Sequence, residues 1–147
     1  MNNRIFNMLK AFGACAVLAV SCLSAQSDHR TTAAVPFDFM VGSQRMAAGT
    51  YDITTGQTTV LVRGDDNGSA TFALALSAYA GKTQEQAKLV FKRYGDRYFL
   101  SQVWYPGTNQ GRELRISKIE RELAMNSAKP EIVTLIAAVP KAQRAAK

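Results

Sequence analysis

Apolar and polar side chains alternate along most of the chain between residues 33 and 139. In the segment 35–41, Val35, Phe37, Phe39 and Val41 share one face of a predicted strand. Pro36 has no backbone N–H, so this strand is expected to begin at a sheet edge. In the segment 50–54, Tyr51 and Ile53 are expected to point inward. A period of two that recurs in this way predicts a chain built from β-strands.

A first hairpin is predicted around Asp65-Asp66-Asn67-Gly68, because Asn-Gly accepts a positive φ at little cost. It joins a strand at 58–63 to a returning strand at 70–77. The returning strand carries large apolar side chains on one side and small ones on the other: Phe72, Leu74 and Leu76, against Ala73 and Ala75.

A second hairpin joins 87–93 to 97–105 through Gly95-Asp96, where glycine in the first central position suits a type II′ turn. That turn predicts that Phe91 pairs with Leu100 and Ala87 with Trp104. One face would then hold Leu89, Phe91, Tyr98, Leu100 and Trp104. The opposite face would hold Lys88, Val90, Lys92, Phe99, Val103 and Tyr105. Both faces are partly apolar, so the second one needs a cover.

One helix is predicted near 118–125 and would supply this cover. Ser117 and Glu120 have the spacing of a capping box, in which the Glu120 side chain reaches back to Ser117. Ile119 and Leu123 form a short apolar stripe. After Pro130, a last strand at 131–139 is apolar on both faces, which predicts a central or closing position.

These elements predict an all-β fold, a single small antiparallel barrel or sandwich of about 7–8 strands with one short helix. The number and spacing of the strands suit both architectures equally. The β domain is expected at 33–139, after a flexible lead-in at 26–32 and before a disordered basic tail at 140–147.

The first 25 residues have the pattern of a cleaved signal peptide. Arg4 and Lys10 precede the apolar run 11–23, which is shorter than the roughly 20 residues of a membrane span, and small residues follow it. The protein is therefore expected to be exported, to the periplasm or beyond the cell, with no transmembrane segment after processing. Lipid anchoring through Cys22 is the alternative, because the segment 19–22 loosely resembles a lipobox.

Cysteine and charge limit what the mature chain can be. Both cysteines, Cys15 and Cys22, lie in the leader, so the mature chain has no disulfide and no thiolate metal ligand. The net charge of +7 on 147 residues suits contact with anionic envelope polymers. Acidic residues are mixed with the basic ones, however, which also fits a solubilising surface and disfavours nucleic acid.

Several blocks resemble an uncharacterised group of short exported bacterial proteins. They are VPFDFMVG at 35–42 with AGTY at 48–51, KLVFKRYGDRYFLSQVW at 88–104, and GREL at 111–114. The group has a proline where this chain has Ala47. The resemblance implies export and a shared fold, and it implies no catalytic residues.

Motifs of catalysis and metal binding are missing from the sequence. The single histidine, His29, falls in the predicted lead-in, where a general base would lack a fixed position. No nucleophile elbow, phosphate loop or dinucleotide fingerprint occurs. We therefore expect a protein that is not an enzyme and that has no cofactor and no metal.

Two surfaces remain as binding candidates. Basic residues interleave with aromatic ones in the second hairpin, which is typical of polyanion binding or of a strand protected against edge pairing. These candidates are Lys88, Lys92, Arg93, Arg97, Tyr98, Trp104 and Tyr105. Alternatively, Trp104, Tyr105, Tyr98 and Phe39 would line an apolar cavity if the strands closed into a barrel.

The leading functional hypothesis is a non-catalytic exported domain that contributes to the envelope or binds a partner there. The partner would be an anionic envelope polymer or a protein. The second hypothesis is a barrel that carries a small apolar ligand, and an enzyme comes last.

Overall fold

A computed structural model describes residues 28–66, 68–127 and 129–140 and confirms an all-β fold with one short helix. The predicted signal peptide at 1–25 and residues 141–147 of the predicted tail lie outside the described residues. The strands within the described residues are β1 His29–Val35, β2 Phe39–Val41, β3 Gln44–Met46, β4 Gly49–Thr55, β5 Thr59–Gly64, β6 Ala70–Tyr79, β7 Ala87–Tyr94, β8 Arg97–Trp104, β9 Gln110–Leu114 and β10 Glu131–Ala137. The helix is α1, Lys118–Asn126.

The ten strands form one sheet in the order β1-β4-β5-β6-β9-β8-β2-β3, and β7 joins β8 to β10. The sheet is not closed, so the barrel named as one alternative is wrong. Within the described residues, β1 and the segment after β10 meet at a single bridge between Thr32 and Ala138, which exchange two backbone hydrogen bonds of 2.8 Å. A single bridge leaves most of β10 without a neighbour on that edge.

The strand predicted at 35–41 is divided into two. β1 ends at Val35 and β2 begins at Phe39, because Pro36 cannot donate a ladder hydrogen bond. Asp38 fixes the connection by accepting from Ala48 N at 2.9 Å and from Arg45. The predicted flexible lead-in is wrong from His29 onward, since β1 pairs along its whole length with β4.

One face of the sheet, here called the inner face, carries the apolar core. As predicted, Tyr51 and Ile53 point into it and are at most 1% exposed. Rings meet edge to face at its centre, where Phe39 lies 5.1 Å from Tyr51 and 5.5 Å from Phe91. The remaining side of the sheet is called the outer face.

Strand β6 turns its small side chains inward. Ala73 and Ala75 are buried, whereas Phe72, Leu74 and Leu76 are 70%, 52% and 64% exposed on the outer face. Val60 lies opposite Ala73 and Leu114 opposite Ala75, and these larger neighbours fill the core at this level. The inward positions of β6 are therefore occupied by small side chains between larger neighbours.

A β-bulge in β8 changes the predicted register of the second hairpin. Phe91 pairs with Leu100 as predicted, but Lys88, and not Ala87, pairs with Trp104. The extra residue is Ser101, which is buried between Leu100 and Gln102. Beyond the bulge the predicted faces exchange, so Val103 and Tyr105 join the core and Trp104 lies on the outer face.

The helix α1 begins as predicted but docks through a different residue. Ser117 Oγ accepts a hydrogen bond from Glu120 N at 3.2 Å, which is half of the predicted capping box. The Glu120 side chain does not reach back: it is buried beside the Tyr94 hydroxyl, which lies 3.5 Å from its carboxylate. Ile119 and Leu123, the predicted apolar stripe, are only half-buried.

The last strand is neither central nor a complete closure, contrary to the prediction. β10 pairs with β7 from Glu131 to Ala137, and its outer-face residues Ile132 and Ile136 remain 57% and 63% exposed. Only Val133, Leu135 and Ala137 pack against the core.

Candidate functional site

The structure separates the predicted basic-aromatic residues into groups. Lys88, Lys92 and Trp104 lie on the outer face of β7 and β8, with Lys88 opposite Trp104. Arg93 and Tyr98 form a pair on the inner face near the hairpin turn. Tyr105 is in the core and Arg97 is at the turn, so no continuous surface contains all seven candidates.

The four aromatic residues proposed as cavity lining lie in different places. Phe39 is in the core, and Tyr105 stacks on His29 with a centroid distance of 4.0 Å. Tyr98 stacks on Phe37 at 3.8 Å, and Trp104 is on the opposite face. They do not surround a common space.

Around Lys88 and Lys92 the pairing of β7 with β10 builds a mixed surface, which we call the basic–apolar face. Lys88 lies opposite Ile136 and Lys92 opposite Ile132, so basic and exposed apolar side chains are neighbours at two levels. Between them Val90 lies opposite Thr134. Sequence reasoning missed Ile132 and Ile136 because it did not predict that β10 pairs with β7.

The two lysines of this face differ in their ionic surroundings. Burial raises the pKa of Glu120, and the nearby Lys92 ammonium and the Tyr94 hydroxyl partly oppose this shift. The Lys92 ammonium group therefore already interacts electrostatically with the Glu120 carboxylate. Lys88 forms no salt bridge or side-chain hydrogen bond with any other residue that the structure describes. Its ammonium group is available to a ligand.

Arg93 and Arg97 belong to two separate regions, and in each of them positive and negative side chains lie close together. The Arg93 guanidinium lies 5.4 Å from the centre of the Tyr98 ring and 3.2 Å from the Glu131 carboxylate. Arg97 borders an open groove of about 410 Å³ together with Asp96 and the ion pair of Asp38 and Arg45, which is 2.7 Å long. The mixed charges of this groove favour neither anions nor cations.

His29 has a fixed position after all, next to Tyr105 at the start of β1. Burial lowers the pKa of His29, Arg112 lowers it further, and Asp28 opposes them. Arg112 itself donates to the Gly56 carbonyl oxygen at 2.8 Å and to Ser77 Oγ at 3.2 Å. These contacts tie β9 to β6 and to the turn after β4, and the stacking holds His29 of β1 against Tyr105, so packing explains the arrangement.

Within the described ranges, no group of three or more His, Cys, Asp or Glu side chains is placed to hold a metal ion. The same part of the chain has no helix long and apolar enough to cross a membrane. Comparison with protein-family models, curated proteins and solved structures finds no match to this chain.

Proposed function

We propose that this protein is an exported, non-catalytic domain that binds an anionic, partly apolar component of the cell envelope. The observation that carries the proposal is the basic–apolar face, where Lys88 and Lys92 lie opposite Ile136 and Ile132. Phosphate or carboxylate groups would contact the lysines, and hydrocarbon would cover the isoleucines.

The exposure of the isoleucines supports a partner with an apolar part. Ile132 and Ile136 are both more than half exposed although they sit in a regular strand. Exposed apolar side chains that are grouped, in contrast to single ones, mark sites of interaction. Lysines beside them add attraction to anions and keep the strand soluble.

The sequence that follows β10 adds charge of the same sign. Lys141, Arg144 and Lys147 come directly after the strand, with no acidic residue after Glu131. A partner with many negative groups would be attracted by this segment as well as by Lys88.

Export itself rests on the leader pattern of residues 1–25. The mass of the purified mature protein tests both cleavage after Ala25 and lipidation of Cys22.

The alternative of a ligand carrier has no specific observation in its favour. The inner face is filled by side chains such as Tyr51, Phe91 and Val103, all essentially without exposure. The groove beside Asp38 and Arg97 is open and lined by ion pairs, which is unlike the enclosed apolar pockets that hold small ligands.

Cosedimentation with vesicles tests the proposal. The probes are vesicles of phosphatidylglycerol mixed with phosphatidylcholine, and phosphatidylcholine alone, at several salt concentrations. We expect binding to the anionic vesicles that weakens as salt rises. The double variant Lys88→Gln/Lys92→Gln should lose most of this binding.

The matched control is Lys82→Gln/Lys118→Gln, which removes the same charge from exposed positions that do not belong to the face. Equal losses in both double variants would mean that net charge, and not this face, is responsible. Absence of binding by the unchanged protein to any anionic vesicle would overturn the proposal.

A further inference from the structure

The outer face of β6 carries a second apolar surface, separate from the basic–apolar face. Phe72, Leu74 and Leu76 follow one another at every second position and are all more than half exposed. Leu61 of β5 lies opposite Phe72 and extends the surface sideways. We call these four residues the β6 stripe. Nothing in the described residues covers it.

Two opposite charges border the β6 stripe on its β9 side. Glu113 lies opposite Leu76, and Arg115 follows two positions later, where its backbone N–H donates to the Leu74 carbonyl oxygen at 3.0 Å. Both side chains are exposed, and neither forms a salt bridge with another residue of the described ranges. The two charges are unpaired and stand side by side along one edge of an apolar surface.

We propose that the β6 stripe is a self-association surface, on which a second copy of this chain packs by twofold symmetry. In a twofold interface each contact occurs twice, with the two residues exchanged between the copies. The axis would cross β6 at Ala75 and β9 at Leu114, which lie opposite each other. The two β6 strands would then run antiparallel, face to face.

This arrangement satisfies both the charges and the shapes of the surface. Glu113 faces Arg115 of the second copy, and Arg115 faces its Glu113, so two ion pairs form from charges that are unpaired in one copy. Leu74 faces Leu76 of the second copy at the centre. Phe72 faces the region of Ala78 of the second copy, where the Trp104 ring lies over the paired Gly111. The two aromatic rings would therefore meet at each end of the interface.

A lipid surface suits the β6 stripe less well. Glu113 is next to Leu76, so insertion of the leucine would bring a carboxylate to an anionic surface or remove it from water without a partner. An isologous partner instead supplies the opposite charge at the position where each one is needed.

Sedimentation velocity over a range of protein concentrations, with protein produced from the full chain, tests the proposal. We expect a reversible dimer. Leu76→Asp should weaken dimerisation at least about tenfold, since it places two like charges at the centre of the interface. The substitution is at an exposed position, so the circular dichroism spectrum should hardly change, and only a modest fall in melting temperature is expected from the carboxylate placed opposite Glu113.

Charge reversal provides the sharper test. Glu113→Arg alone and Arg115→Glu alone should each weaken dimerisation, because each places like charges opposite each other twice. The combination Glu113→Arg/Arg115→Glu should restore it, because the opposite charges face each other again. Glu85→Arg, an exposed change of the same size in the loop before β7, is the matched control and should have no effect.

Three results would overturn the proposal. One is a wild-type protein that stays monomeric at all concentrations, whatever its binding to vesicles. Another is a dimer that Leu76→Asp leaves intact, which would locate the interface elsewhere. The third is failure of the double reversal to restore a dimer that both single reversals weaken.

Discussion

The ring of Trp104 lies directly on Gly111 of the neighbouring strand. The two residues are paired between β8 and β9, and a Cβ atom on Gly111 would be 2.6 Å from Trp104 Cε3. The same Cβ would be 2.7 Å from the Val103 carbonyl oxygen, which cannot move without distorting β8. Glycine at this position lets the ring cover the outer face and bury Ala78.

Gly111→Ala is therefore expected to destabilise the fold by about 1–3 kcal/mol, the usual cost of overpacking. Urea unfolding followed by tryptophan fluorescence measures the change. Gly81→Ala is the control, because a Cβ there would meet no atom within 4 Å. If both variants are as stable as the parent, the close approach of the ring is not a structural requirement.

The buried carboxylate of Glu120 is expected to make stability fall as pH rises. Burial raises its pKa in the folded state, so between its unfolded pKa and this higher value the folded protein binds more protons than the unfolded chain. Stability then decreases from about pH 4.5 upward through the folded pKa. Glu120→Gln keeps an acceptor for the Tyr94 hydroxyl and removes the ionisation, so it should flatten this part of the profile and stabilise the protein at pH 7.

Unfolding in urea at a series of pH values checks this prediction. Glu122→Gln, at an exposed position of the same helix whose partner is Lys118 at 3.9 Å, should leave the profile unchanged. A profile of Glu120→Gln that runs parallel to that of the parent would contradict the prediction.

Asp52 is expected to act in the opposite direction. The Arg30 guanidinium and then the Thr32 hydroxyl, at 2.7 Å, hydrogen bond to its carboxylate and lower its pKa. This contribution is present above the unfolded pKa and is lost as pH falls through the lower folded value. Asp52→Asn should cost about 1 kcal/mol at neutral pH, and the difference should disappear in acid.

Acid unfolding curves of Asp52→Asn and of Asp96→Asn, an exposed turn residue, test this difference. A constant gap between Asp52→Asn and the parent down to the lowest pH would indicate that the charge is not involved.

The isoleucines of the basic–apolar face are expected to matter for vesicles but not for a purely ionic ligand. Ile132→Thr/Ile136→Thr keeps two β-branched residues in β10 and should change stability by less than about 1 kcal/mol. Binding to anionic vesicles should fall roughly tenfold, because the apolar area buried there is lost. Retention on heparin, which offers charge without hydrocarbon, should stay the same.

Met125→Gln, which removes an apolar side chain that is 73% exposed on α1, is the control for general surface hydrophobicity. If the isoleucine variant loses heparin retention to the same extent as vesicle binding, the apolar part of the face has no separate role.

Local signals predicted most of the strands, because turn chemistry and alternation act over a few residues. The turn at Gly95 has a φ of 63°, as a type II′ turn needs, and the pairing of Phe91 with Leu100 follows from it. The error begins at Ser101, where a bulge exchanges the faces of all later residues in β8. A bulge depends on packing against β9 and β7, which local patterns do not describe.

Part of the candidate site could not be predicted from the sequence, because it depends on pairing between strands that are far apart in the chain. Alternation along β7 correctly grouped Lys88 with Lys92, since both belong to one strand. Their neighbours Ile132 and Ile136 lie more than 35 residues away and meet them only through the β7–β10 pairing. In the same way, the outward direction of Leu74 follows from the neighbours of β6 and not from β6 itself.

The bulge at Ser101 determines which side chains of the second half of β8 reach the core. Leu100 pairs with Phe91 and the next pair is Gln102 with Val90, so Ser101 stands outside the ladder. Deleting Ser101 would therefore leave a regular ladder, with Val103 still facing inward and Trp104 still facing outward. Forcing Ser101 into the ladder would instead turn Val103 out to water and Trp104 into the interior, so it is the bulged conformation that decides which face the tryptophan ring covers.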